Sequence, residues 1–330
     1  MFFILASTQL VSGFSRASVD ASENYLWFSL TPAMNHGGKK HPGQNKGSGH
    51  GRHAGHESEH RPKPVRTYWL NSCAIGPAAK VYLSQPEGTS NSIPITRKGH
   101  EVSVSFKTPF GDGPFHGANN LYLVDKSVEK ETLVLRTAKW LTIHHSCGWG
   151  HDHKFNEERL RSQILAEAPL DIVVDNLWDK NFHSTVMSGD TVSLAVFSYG
   201  RPAVGAEVTI ISDQGWHKDM MTDKDGRASF QMVRDYYPKS WSLFNPKKLG
   251  KFKLTATYDT DSSGKMSGKS YSKAHMNSTF SWRYYPAVRE YNSYGYGLLV
   301  AVSFFIVSGL GIFLYRRKRT KSYQDIKFDE

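Results

Sequence analysis

Four short runs between residues 79 and 137 carry the two-residue period of a β-strand: "AKVYLS" (79–84), "EVSVSFK" (101–107), "NLYLVD" (120–125) and "TLVLRT" (132–137). In the second run Val102, Val104 and Phe106 alternate with Ser103, Ser105 and Lys107. Successive strand side chains point to opposite sides, so this run predicts one buried and one wet face. Turn residues such as "FGDGP" separate the runs, and together they predict a first β-domain over residues 67–154. In "FNEERLRSQILAEAP" Leu160, Ile164 and Leu165 fall at helical spacing, which predicts a connecting helix over 155–169 ending before Pro169. Five further runs, "LDIVV", "DTVSLAVFS", "GAEVTIIS", "RASFQMV" and "GKFKLTATY", predict an immunoglobulin-like β-sandwich over 170–285. Gly200 and Pro202 mark a hairpin within it, and Asp225 with Gly226 a tight turn. The fold class expected is therefore mainly β.

One apolar run breaks this pattern. "YGLLVAVSFFIVSGLGIFLY", Tyr296 to Tyr315, carries no charge, and about 20 helical residues cross a bilayer core. It predicts a single C-terminal transmembrane helix over 296–315, reached through a stalk at 286–295 whose Tyr291 and Tyr294 suit the headgroup level. Arg316, Arg317, Lys318 and Arg319 follow at once, so the positive-inside rule assigns the tail at 316–330 to the cytoplasm. The expected topology is a single-pass membrane protein with the bulk of the chain outside the cytoplasm. The apolar stretch "FFILASTQLV" fits the export signal this needs, as a signal peptide over residues 1–21, although no basic residue precedes it.

Composition changes the picture in two places. The chain has 330 residues and a formal charge of +11. Much of the excess sits in "RRKRTK" and between Lys39 and Arg66, outside the strand-like runs, and no nucleic-acid-binding motif accompanies it. Nucleic acid is therefore not an expected partner. The segment 35–66 is rich in His, Gly and Lys and nearly free of apolar residues. It has too little to bury to offset an ordering cost of about 1–2 kcal/mol per residue, which predicts a flexible, solvated stretch. The only two cysteines, Cys73 and Cys147, exclude a disulfide-rich scaffold and leave open whether they pair with each other in an oxidising compartment.

Candidate chemistry lies in the histidines. "HHSCGWGHDH" brings His144, His145, Cys147, His151 and His153 into ten residues, with glycines that allow a turn. Imidazole and thiolate are ligands for zinc, copper, nickel and cobalt, so this is a candidate specific metal cluster; the alternative is a solvated loop with Cys147 bonded to Cys73. His36, His41, His50, His53, His56 and His60 form a second, looser set. Six imidazoles separated by small and polar residues offer many equivalent weak sites, suited to collecting a cation. His100, His116, His183, His217 and His275 are isolated in sequence and read as ordinary packed or surface residues. No nucleophile elbow, HExxH helix, P-loop or dinucleotide fingerprint occurs, so no enzymatic activity is expected.

Gly189 and Asp190, then Gly200, Pro202, Gly205, Ala206 and Val208, then Thr222, Asp223, Gly226, Arg227, Ala228 and Phe230 form a spaced signature over roughly 169–258. In this it resembles a bacterial periplasmic family of immunoglobulin-like proteins associated with nickel and cobalt uptake. The resemblance implies nickel or cobalt as the bound divalent metal, where ligand chemistry alone also admits copper or zinc. It further implies a membrane permease or another envelope protein as partner. The leading expectation is a membrane-anchored periplasmic metal-binding accessory protein. The alternative is a structural or interaction module, or a subunit of a larger envelope complex, with incidental histidines.

Overall fold

The computed structural model describes residues 25–31, 65–70, 75–99, 101–108, 114–144, 157–175, 177–178 and 186–319. The strands in chain order are β1 (Phe28–Ser29), β2 (Val65–Leu70), β3 (Lys80–Ser84), β4 (Ser90–Ile93), β5 (Ile95–Lys98), β6 (Glu101–Lys107), β7 (Gly117–Glu129), β8 (Thr132–His144) and β9 (Asp171–Val174). They continue with β10 (Val186–Met187), β11 (Thr191–Ser198), β12 (Arg201–Pro202), β13 (Glu207–Ser212), β14 (His217–Met221), β15 (Arg227–Gln231), β16 (Gly250–Met266) and β17 (Lys269–Tyr285). One long helix, α1 (Val288–Arg319), ends the described chain. The expected mainly β architecture with one C-terminal apolar helix is what forms.

A central sheet runs in the order β14-β13-β16-β17-β8-β7-β3-β4, with β10 beside the end of β17. It spans both expected domains, because β8 of the first half lies parallel to β17 of the second, from Thr132 opposite Lys273 to Lys139 opposite Phe280. A four-stranded sheet, β1-β2-β6-β5, covers one face through Tyr68, Val104, Phe106, Leu121, Leu123 and Ala138. A second, made of β9, β11, β12 and β15, packs on the opposite face through residues such as Ile172, Leu194, Phe230, Phe252, Leu254 and Phe280. Sheet-on-sheet packing of this kind is a sandwich, here extended to three layers. Alternation along β8 makes it possible: Leu135 and Leu141 enter one core while Ala138 enters the other.

Two segments depart from the sequence expectation. Val65 and Arg66, expected within the flexible stretch 35–66, are ladder residues of β2 opposite Lys107 and Phe106. The connecting helix expected over 155–169 does not form: among described residues it is a 3₁₀ turn at Glu157–Leu160 followed by irregular chain. Its backbone groups are taken by tertiary partners. Lys139 Nζ and Tyr122 Oη both donate to Gln163 O, and Leu165 N donates to Asp171 Oδ2. A helical ladder would need those groups for itself. Leu165 and Ala168 instead press onto Tyr122 and Val124, and Ile164, counted on the helix's apolar face, stands exposed.

The helix α1 begins at Val288, so part of the expected stalk is helical, and residues 295–319 form an apolar span with nothing from the body packed on it. It is long and apolar enough to cross a membrane.

Candidate functional site

The turn joining β7 to β8 is Lys130–Glu131, both with positive φ (44° and 63°), as the tight hairpin turn that matches strand twist requires. That turn fixes the register for thirteen residues on each side, and at the far end of the pair Gly117 faces His144. His144 is buried at the last position of β8, and His116, next to Gly117, is buried beside it. A side chain at Gly117 would meet Arg159 O at 2.4 Å, so glycine lets the 3₁₀ turn close against this end. Arg159 then donates to His116 O at 2.7 Å and pairs with Glu87 at 2.8 Å.

A third element arrives from the covering sheet. Arg66 of β2 donates to Thr142 Oγ1 at 2.5 Å and approaches His144 Nδ1 at 3.4 Å. Arginine has no acceptor, so Nδ1 accepts and the neutral ring carries its proton on Nε2. His144 can therefore take a metal only by giving up one of these two, and the guanidinium opposes a second cation at Nδ1. The collar of Arg66, His116, Thr142, His144 and Arg159 thus roots the histidine- and cysteine-bearing segment that follows His144, and is poorly suited to supply ligands itself.

What leaves this collar matters more. Of the candidate cluster, His144 alone is described; His145, Cys147, His151 and His153 lie outside the described residues, as do Cys73 and the tract histidines His36, His41, His50, His53, His56 and His60. Among the described residues no three potential ligands gather around a common point. The chain nevertheless enters 145–153 directly from His144, and it returns from the tract directly into Val65 and Arg66. Both histidine-rich segments therefore attach at one end of the β7–β8 pair. His116, read as isolated in sequence, belongs to the same place; the hairpin register was the signal, hidden because the Lys-Glu turn lacks glycine or asparagine. His217 is exposed on β14, and His275 pairs with Asp259 at 2.6 Å across β16 and β17.

Below the collar β7 and β8 carry buried charge. Arg136 reaches Asp125 at 2.7 Å on one face, and Lys139 reaches Asp171 at 2.9 Å on the other. Burial pushes the Asp171 carboxyl above its usual range and the Lys139 ammonium below its own, while burial and the adjacent Asp171 push Tyr122 well up. Asp171 accepts from Lys139 and Leu165 N, and Tyr122 Oη, whose one proton is shared with Gln163 O, lies 3.2 Å from its Oδ2, so that together they fasten the 163–171 chain to the sheet.

No protein-family model matches the chain, and no curated protein matches it. Among solved structures, a DUF4785 family protein from Legionella pneumophila is similar over 59% of this chain and 48% of its own, at 10% identity and a TM-score of 0.21. The chain thus spans about half the length of that protein, and a likeness of this size carries no argument about fold or function.

Proposed function

We propose that the chain is a membrane-anchored, periplasmic accessory protein that captures a divalent transition metal and passes it to a protein in the same membrane. The observation that carries this reading is direction. β8 and β17 are parallel; five residues beyond their last pair, β8 ends at His144 and β17 ends at Tyr285, three residues before α1. The strand that leads into the cluster and the strand that leads into the anchor so leave the same end of the central sheet. The tract rejoins there too, through the Arg66 contacts. A collecting tract and a holding cluster rooted at the anchored end suit delivery to an embedded partner, a permease by family resemblance, with nickel or cobalt as cargo on the same ground and copper or zinc admitted by the ligands.

Calorimetric titration of the detergent-solubilised full chain with nickel, cobalt, copper and zinc tests this. One stoichiometric event is expected, abolished by replacing His145, His151 and His153 with Ala and Cys147 with Ser. Replacing the six tract histidines is expected to remove only weaker heats. Both should fade below about pH 6.5, as imidazoles protonate. Absence of stoichiometric uptake of any of the four metals overturns the proposal.

A further inference from the structure

A loop over residues 233–249 projects beside the end of β17 and carries unusual surface for an extracytoplasmic body. Tyr237, Leu243 and Leu249 are 69%, 61% and 43% exposed, and Lys239, Lys247 and Lys248 stand among them. The loop has its own internal packing: Tyr236 and Phe244 rings lie 6.0 Å apart, and Lys248 Nζ sits 4.0 Å over the Tyr236 ring. It is also fastened to the root of the helix. Tyr284 Oη donates to the Asp235 carboxylate at 2.5–2.6 Å, and Tyr236, Lys248 and Pro286 line one shallow cavity with Tyr284.

From this placement we infer that the loop 233–249 is a membrane-surface contact, seating its exposed apolar side chains and lysines among the anionic headgroups of the bilayer that α1 spans. The inference rests on α1 being a membrane anchor. Distance supports it. From Val288 to the start of the apolar span at residue 295, seven residues of helix rise about 10 Å. The headgroup layer takes roughly 5–7 Å of that, and an ordinary tilt shortens it further. Lysine and aromatic side chains rooted at Tyr284 therefore reach the interface without unfolding anything, and aromatic rings with basic groups are the chemistry that suits it. Asp235, the acidic residue of the loop, is turned inward on Tyr284, so the outward charge is basic.

The test uses the full chain in vesicles of phosphatidylcholine with phosphatidylglycerol, with single bimane labels and brominated lipids as quenchers. With both native cysteines replaced by serine, labels go at Leu243→Cys, at Val302→Cys in α1, and at Lys265→Cys near the turn joining β16 to β17. That turn lies at the opposite end of β17 from Tyr284, about 50 Å away along the strand. Quenching at 243 at least twice that at 265 is expected. The charge reversals K239E, K247E and K248E together, or vesicles of phosphatidylcholine alone, should reduce it toward the level at 265. If 302 is quenched while 243 matches 265, the anchor stands and this inference is overturned. If 302 is not quenched, the anchor reading and this inference fail together.

Discussion

Lys139 and Asp171 meet at 2.9 Å with both side chains essentially removed from solvent, one on the central sheet and one at the start of β9. Since Gln163 O and Leu165 N also close onto this pair, one ion pair decides both how the covering sheet docks and why residues 161–170 are not helical. Removing one partner strands the other charge in the core.

Asp171→Asn or Lys139→Met is accordingly expected to cost about 3–5 kcal/mol, read as a shift in the urea midpoint at unchanged slope. The double replacement Lys139→Met with Asp171→Asn should cost less than the larger of the two single changes, because no unpaired charge is left. A double variant as damaged as the sum of its parts would show no coupling between the two side chains and overturn the reading that each single change strands a buried charge.

Two turn glycines separate backbone conformation from crowding. Gly226 and Gly205 have similar positive φ, +70° and +72°, but a Cβ at Gly226 lies 2.8 Å from Val196 O whereas one at Gly205 meets open space. Gly205→Ala should therefore show only the left-handed backbone cost of about 1–2 kcal/mol. Gly226→Ala should exceed it, toward about 3 kcal/mol, because the Val196 carbonyl cannot move away without breaking the bond it accepts from Ala203 N–H at 2.9 Å. Equal losses would mean that the turn relaxes away from Val196.

Much of this fold is legible in the chain itself, for reasons that differ by strand. β6 matches its expected run of 101–107 because its Ser and Lys side chains remain on an exposed face, so alternation survives in the residues. β7 and β8 extend well past their expected runs because both faces are covered, and a strand covered on both sides no longer has to alternate. Its polar members, Asp125, Arg136 and Lys139, look like solvent-facing residues in sequence and are buried ion-pair partners in the fold. The same blindness to partners explains the helix expected over 155–169: the local spacing of Leu160 and Leu165 is compatible with a helix, and Lys139 and Asp171 are what claim its backbone. At the site, clustering in sequence marked His144, but only the β7–β8 register brings His116 to that end, and only the packing of the covering sheet brings Arg66.

Acid should weaken the turn that precedes β15. Asp223 accepts from the backbone N–H of Arg227 at 2.8 Å and of Asp225 at 2.9 Å, and these bonds hold its carboxyl below the ordinary value of 3.8. A carboxyl depressed in the folded state stabilises it above the unfolded value and loses that contribution as pH falls through the folded one. Asp223→Asn keeps an acceptor but no charge. Its stability deficit relative to the parent, followed by urea unfolding, should be constant from pH 7 to about 5 and shrink below about pH 4. A deficit independent of pH would assign the effect to shape alone.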